Sequence, residues 1–160
     1  MAEVILLCGK ICSGKSFYSS ELKNKRNCVL LSCDEITIPL EKYLCGDFDE
    51  MAQILKSYLR EKACEIISTG ADVIIDFGQW KKSERQEMRE FFSQRNIKTE
   101  LHYIKVSDEI WEKHIEKRNR EVQLGRKDAY FVDEGLKSKV LSQFEEPSDD
   151  EIDVLIEITQ

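Results

Sequence analysis

The chain has 160 residues, 41% of them hydrophobic and 34% charged, with a formal net charge of −7. That profile fits one soluble domain, residues 1–160, long enough to bury a sizeable core, and it excludes a general nucleic-acid coat. No apolar run approaches the ~20 residues that span a bilayer, so no membrane partner is expected.

Met1-Ala2-Glu3 carries no basic stretch and leads into the apolar run Val4-Ile5-Leu6-Leu7. No signal peptide is therefore expected, and the expected location is the cytoplasm. Residues 3–8 read as a buried strand. The next eight, Gly9-Lys10-Ile11-Cys12-Ser13-Gly14-Lys15-Ser16, fit the phosphate-cradling pattern G-x-x-x-x-G-K-[ST]. Each part has a mechanical job. The glycines let the backbone N–H groups turn inward as an anion nest, Lys15 brings a positive charge to the outer phosphates, and the Ser16 hydroxyl suits Mg²⁺. Residues 15–23 read as a helix whose N-terminus also favours the anion. Nucleoside triphosphate, ATP or GTP, is thus the expected ligand of residues 9–17, with Phe17 beside the loop.

A second strand, Cys28-Val29-Leu30-Leu31-Ser32-Cys33, ends at Asp34-Glu35. Pro39 and Gly46 then punctuate an irregular or short helical stretch. Residues 48–67 are a long amphipathic helix stopped by Gly70. Val73-Ile74-Ile75-Asp76 is a third strand, residues 83–95 a helix and residues 101–106 a fourth strand. Ser107 and Asp108 can cap a helix with Trp111, Ile115 and Val122 facing the core, which Gly125 breaks. Another helix carries Leu136, Val140, Leu141 and Phe144 and ends at Pro147, before a fifth strand at 152–158.

Strands alternating with helices predict an α/β fold whose parallel sheet is covered on both faces, a three-layer sandwich. Ligands of such sheets bind at the carboxyl ends of the strands, where Gly9, Asp34 and Asp76 all fall. Asp34 has two readings: a general base for an incoming hydroxyl, or a helix N-cap. Asp76 is either a carboxylate presented to Mg²⁺, as at the end of a Walker-B strand, or a cap on the following turn. Residues 111–127 hold six Lys/Arg against three Glu, whereas residues 128–160 hold two against ten acids. In that basic island Arg118, Arg120 and Arg126 suit a small helical lid over residues 116–132, or a solvated face pairing with Glu116 and Glu121. Arg85, near a helix start, suits a phosphate or a local pair with Glu84 or Glu87.

The six cysteines, Cys8, Cys12, Cys28, Cys33, Cys45 and Cys64, contain no C-x-x-C. They are expected to be reduced thiols, with Cys12 a loop filler or a reactive group near Lys15. His102 and His114 receive no catalytic role, Trp80 suits stacking on a substrate ring or, by preference, packing, and Tyr130 and Phe131 carry no readable function beyond packing.

Residues 9–16, Leu31-Ser32-Cys33-Asp34-Glu35, Ile74-Ile75-Asp76 with Arg85 nine residues on, the 118–126 arginines and Phe144-Glu145-Glu146-Pro147-Ser148 resemble small P-loop kinases of the AAA-33 type. That group includes the kinase domain of phage polynucleotide kinase. Chloramphenicol phosphotransferase and zeta-toxin kinases are more distant relatives. The resemblance implies a five-stranded parallel sheet, ATP with Mg²⁺, and phosphate transfer to a hydroxyl. It implies Lys15 and Ser16 as the ATP and Mg²⁺ residues, Asp34 as base, Arg118 or Arg120 as the catalytic lid arginine, and Pro147 beside the adenine. The polynucleotide-kinase branch has an arginine three residues after the base. Here Thr37 stands there and, with the acidic pI, this points away from a polynucleotide.

The expected activity is therefore an ATP-dependent kinase acting on a hydroxyl-bearing small molecule. A polynucleotide 5′-hydroxyl kinase and a non-catalytic, nucleotide-gated regulatory module are the alternatives.

Overall fold

The computed structural model describes residues 1–43 and 46–159, so the expectation for Cys45 lies outside the described residues. Five parallel strands form one sheet in the order β2-β3-β1-β4-β5: β1 (Val4–Cys8), β2 (Cys28–Ser32), β3 (Asp72–Asp76), β4 (Thr99–Val106) and β5 (Val154–Ile158). β1 is central, in register with β3 through Ile5 and Ile74 and with β4 through Leu6 and Leu101. Every β1 side chain is fully buried, which explains its unbroken apolar run. The edge strand β5 alternates half-buried with exposed residues.

Among the described residues six α-helices cover the sheet: α1 (Lys15–Lys25), α2 (Asp34–Leu40), α3 (Phe48–Ser68), α4 (Lys82–Ser93), α5 (Asp108–Gln123) and α6 (Glu134–Gln143). On one face Val4, Leu6, Val73 and Ile75 pack with Leu59 and Ala63 of α3 and with Met88 and Phe92 of α4. On the other, Ile5, Leu7 and Ile74 meet Tyr18 and Leu22 of α1. A third cluster joins Trp111 and Ile115 of α5 to Val132 and Val140 under α6. The expected three-layer α/β sandwich is the observed fold.

Local signals account for the element ends. Asp47 caps α3 by accepting from the N–H groups of Asp49 and Glu50, and Gly70 follows its end at φ +89°. Ser107 caps α5, whereas Asp108 turns instead to Lys10. Pro39 does not leave an irregular stretch. It sits in the last turn of α2, where the helix ends one residue later and little of the ladder is lost. The thiols of Cys8, Cys12, Cys28, Cys33 and Cys64 are all free, and burial pushes Cys8 up to about 12 and Cys33 to about 11, as inert core thiols.

Arg85 departs from both of its expected uses. It is 1% exposed, forks onto Glu151 at 2.9 and 3.3 Å, and donates to the carbonyls of Gln79, Trp80 and Glu145. It therefore clamps the 144–151 segment to α4, with each guanidinium nitrogen engaged within the protein. Its guanidinium holds Glu151 far down, to about 2. A lowered acid contributes stability above its unfolded pKa and loses it as pH falls through the folded value. Stability should thus decline from about pH 4.5 towards 2, and in urea titrations Glu151→Gln should start lower and lose less over that range. Arg85→Ala, which leaves a half-buried acid unpaired, should cost about 3–5 kcal/mol by the same assay.

Candidate active site

The loop between β1 and α1 is shaped by tight packing beneath it and two left-handed residues within it. A Cβ on Gly9 would lie 2.5 Å from Ser13 Oγ and 2.9 Å from the Ile104 carbonyl oxygen, so only glycine fits. Cys12 (φ 61°) and Gly14 (φ 104°) turn the chain so that successive N–H groups converge, an anion nest opening onto the start of α1. Lys15 folds back across the loop, its Nζ donating to the Gly9 and Lys10 carbonyls at 3.1 and 2.9 Å. The Ser16 side chain is exposed in the first turn of α1.

One face of α5 grips the outside of this loop. Trp111 Nε1 donates to the Ile11 carbonyl at 2.6 Å, His114 Nδ1 donates to the Cys12 carbonyl at 3.0 Å, and Arg118 Nη1 reaches Cys12 Sγ at 3.4 Å. A carbonyl can only accept, so the proton sits on His114 Nδ1. Lys10 lies 4.7 Å above the Trp111 ring and pairs with Asp108 at 3.1 Å. Cys12 is thus held through both its carbonyl and its sulfur.

The loop opens into a cleft of about 1350 Å³, larger than a single small ligand fills. Lys15, Ser16, Phe17 and Arg118 line one side. Asp34 and Asp76, at the ends of β2 and β3, line the other. The capping alternatives for these two acids are not realised. Cys33 holds the N-cap position of α2 with Asp34 as its first helical residue, and among the described residues neither carboxylate makes a side-chain hydrogen bond. Asp34 keeps a face open to water, yet burial is the main cause that raises its pKa, followed by the neighbouring Asp76. Arg118 and Lys15 pull it partly back down, so all four groups share one electrostatic neighbourhood.

The remaining expected site residues divide. Gly9 and Ser13 are buried in the floor of the loop, while Ile11, Cys12 and Gly14 line the cleft. Arg120 and Arg126 are exposed and Pro147 is buried, and none of the three lines the cleft. Residues 116–123 of the expected lid continue α5, and the chain returns through residues 124–133. On that return the Tyr130 hydroxyl donates to Thr37 Oγ1 at 2.8 Å and its ring meets Phe48 edge-on.

The family comparison now bears on this geometry. Residues 4–147 match the AAA domain family AAA_33. The chain belongs to that family. No curated protein matches it in sequence. Among solved structures it is similar to a sugar kinase from Janibacter sp. HTCC2649, at 15% identity over 98% of this chain and 86% of that one, TM-score 0.66. It is similar to a gluconokinase from Sinorhizobium meliloti 1021, at 15% identity over 99% and 83%, TM-score 0.68. It is also similar to the Mycobacterium tuberculosis APS kinase in complex with AMPPNP and APS, at 13% identity over 99% and 90%, TM-score 0.65. At such identities the likeness establishes a shared P-loop kinase-like fold.

In this AAA_33 chain three site residues escaped the sequence reading. Trp111 was expected only in the core, His114 was given no task, and Tyr130 no function. The spacing of 111, 114 and 118 places one side chain per turn on one face of α5, and that was the available signal. Trp111→Phe keeps the apolar ring but strands the Ile11 carbonyl. Isothermal titration with a nucleoside triphosphate should show roughly tenfold weaker binding, the effect of one unpaired buried acceptor.

Proposed function

We propose that the protein is an ATP-dependent kinase that moves the γ-phosphoryl group to a hydroxyl of a small molecule. The observation that carries this reading is Asp34: a raised, unbonded carboxylate facing Lys15 and Arg118 across the cleft. A nucleotide sensor would have no use for such a base.

Each role follows from placement. The loop N–H groups and Lys15 hold the β- and γ-phosphates, Lys15 exchanging its two carbonyl contacts for phosphate oxygens. Ser16 and Asp76 fit Mg²⁺, because both line the cleft and the Asp76 carboxylate has no competing hydrogen bond. Bound there, the ion would neutralise phosphate charge. Asp34 accepts the proton of the attacking hydroxyl, and its raised pKa makes it a stronger base than an ordinary aspartate. As that oxygen bonds to phosphorus, charge grows on the phosphoryl oxygens and on the leaving oxygen. Arg118, still holding unused donors, is placed to meet it.

Two features favour a small acceptor over a polynucleotide end. The position three residues after Asp34 is Thr37, 4% exposed and held by Tyr130, with no room for a phosphate-binding arginine. The net charge of −7 also opposes a polyanionic strand.

The test is incubation with Mg-ATP and pooled metabolites, nucleosides and 5′-hydroxyl oligonucleotides, read by mass spectrometry. A one-phosphate gain should appear with the wild type and vanish with Lys15→Ala. A gain that survives in Lys15→Ala would overturn the site. Asp34→Asn should bind ATP normally and lose about 10²–10⁴ of turnover. The sign on stability is opposite. A carboxyl with a raised pKa is destabilised when charged, so Asp34→Asn should leave thermal stability unchanged or raised at pH 7. The acid limb of kcat should fall above the ordinary aspartate value of about 4.

A further inference from the structure

The wall of the cleft beside Asp34 is aromatic, and two of its rings stay open. Phe48, the first residue of α3, is 43% exposed and Phe131, on the return from α5, is 44% exposed, and both line the cleft. Tyr130 lines it as well, and its ring meets that of Phe48 at 5.9 Å between centroids and 84° between planes. We infer that this aromatic corner receives the acceptor, and that the acceptor carries a planar aromatic ring in the same molecule as its reacting hydroxyl. The inference rests on the kinase reading for which hydroxyl reacts.

The corner is fixed at the Asp34 end of the cleft. The Tyr130 hydroxyl donates to Thr37 Oγ1 at 2.8 Å, and Thr37 sits one turn along α2 from Asp34. Lys139 of α6 reaches Asp49, the neighbour of Phe48, at 3.4 Å. Burial is the main cause that raises the pKa of the Tyr130 hydroxyl, and the Asp34 and Glu41 carboxylates raise it further, as charges close to the ring do. Phosphoryl transfer places the attacking and leaving oxygens on opposite sides of phosphorus. With Lys15 and the loop on the β- and γ-phosphates, the rest of the nucleotide extends from the leaving oxygen, away from Asp34. The rings beside Asp34 therefore face the acceptor.

The shape of the corner selects a ring. Between two nearly perpendicular rings a third can lie flat on one and edge-on to the other, both favoured arrangements for aromatic pairs. Helix α3 leaves room for it. Phe48, Ala52 and Lys56 follow at one-turn spacing along its cleft side, and Ala52 in the middle carries only a methyl group. Lys56 is already paired with Glu84 at 3.6 Å. Rings that served only to tie the return segment to α3 would be buried by that contact, whereas Phe48 and Phe131 remain open.

The test measures binding and transfer with acceptors matched except for the ring: benzyl alcohol against cyclohexylmethanol, and adenosine and cytidine against methyl riboside. Ligand-observed NMR with a non-hydrolysable ATP analogue reads binding, and phosphate gain with Mg-ATP reads transfer. The aromatic member of a pair should bind and react roughly threefold to tenfold better. Phe48→Leu, which keeps an apolar side chain without a ring, should remove that preference. Tyr130→Phe, which keeps the ring and drops the bond to Thr37, should retain it. Ala52→Leu fills the space beside Phe48 at a helical position that suits leucine, and should lower kcat/KM for the aromatic acceptor roughly tenfold. Affinity for the ATP analogue, by isothermal titration, should match the wild type in all three, which also shows that they fold.

The pair that responds identifies the source of the ring, an aryl alcohol or a nucleoside. Equal use of ringed and ring-free acceptors, or a preference that survives Phe48→Leu, overturns the aromatic corner and keeps the kinase. Weaker binding of the ATP analogue in Phe48→Leu, with acceptor preference unchanged, assigns the rings to the nucleotide and also overturns the corner. Phe48-dependent binding of aromatic acceptors without Lys15-dependent transfer to any of them keeps the corner and overturns the kinase. Neither binding nor transfer for either pair overturns the corner, and the pooled screen then decides the kinase separately.

Discussion

A phosphate-binding loop works only while its N–H groups stay free for the ligand, so its other polar groups must be tied from outside. Here the Ile11 carbonyl is taken by Trp111 and the Cys12 carbonyl by His114. Lys15 holds those of Gly9 and Lys10. From below, Gly9 rests on Ser13 and the Ile104 carbonyl, with no room for a methyl group. The loop is thus clasped between the centre of the sheet and one face of α5. Because Trp111, His114 and Arg118 all grip it, α5 cannot swing as a whole without opening the loop. Any closure over nucleotide has to bend beyond Arg118, in the last turn of α5 and the return segment that carries Tyr130.

The same accounting of donors separates the arginines. Arg85 is spent: its guanidinium serves one carboxylate and three carbonyls in a dry setting. Arg118 is unspent, with one weak contact to sulfur and a buried Nε that has no partner. The acids divide likewise. Glu151 is consumed by Arg85, whereas Asp34 and Asp76 line the cleft without a side-chain hydrogen bond among the described residues. Residues with unsatisfied capacity collect where a ligand would sit, and satisfied ones carry the fold.

What was legible in the sequence was whatever depends on local pattern. The buried run before Gly9 and the apolar strands ending at Asp34 and Asp76 set the sheet, because parallel strands covered on both faces tolerate little else. The loop was readable because its geometry demands glycines and a lysine at fixed offsets. Arg85 was not, since its partner Glu151 lies 66 residues away and only tertiary packing brings the 144–151 segment onto α4. Pro147 lies in the same segment, buried and outside the lining of the cleft. Arg118 and Arg120 look alike in sequence, and only the phase of α5 relative to the loop separates them.

The two halves of the cleft handle charge differently. At the loop end Lys15 and Arg118 have no carboxylate partner among the described residues, and Lys117 and Lys127 also line the cleft. Towards α3 Lys56 lines the cleft already paired with Glu84. An acceptor bearing its own phosphate would have to compete for that pair, worth about 0–1 kcal/mol at its partial exposure. It would also place a second anion near Asp34, where burial and Asp76 already disfavour the charged form. A neutral acceptor avoids both penalties.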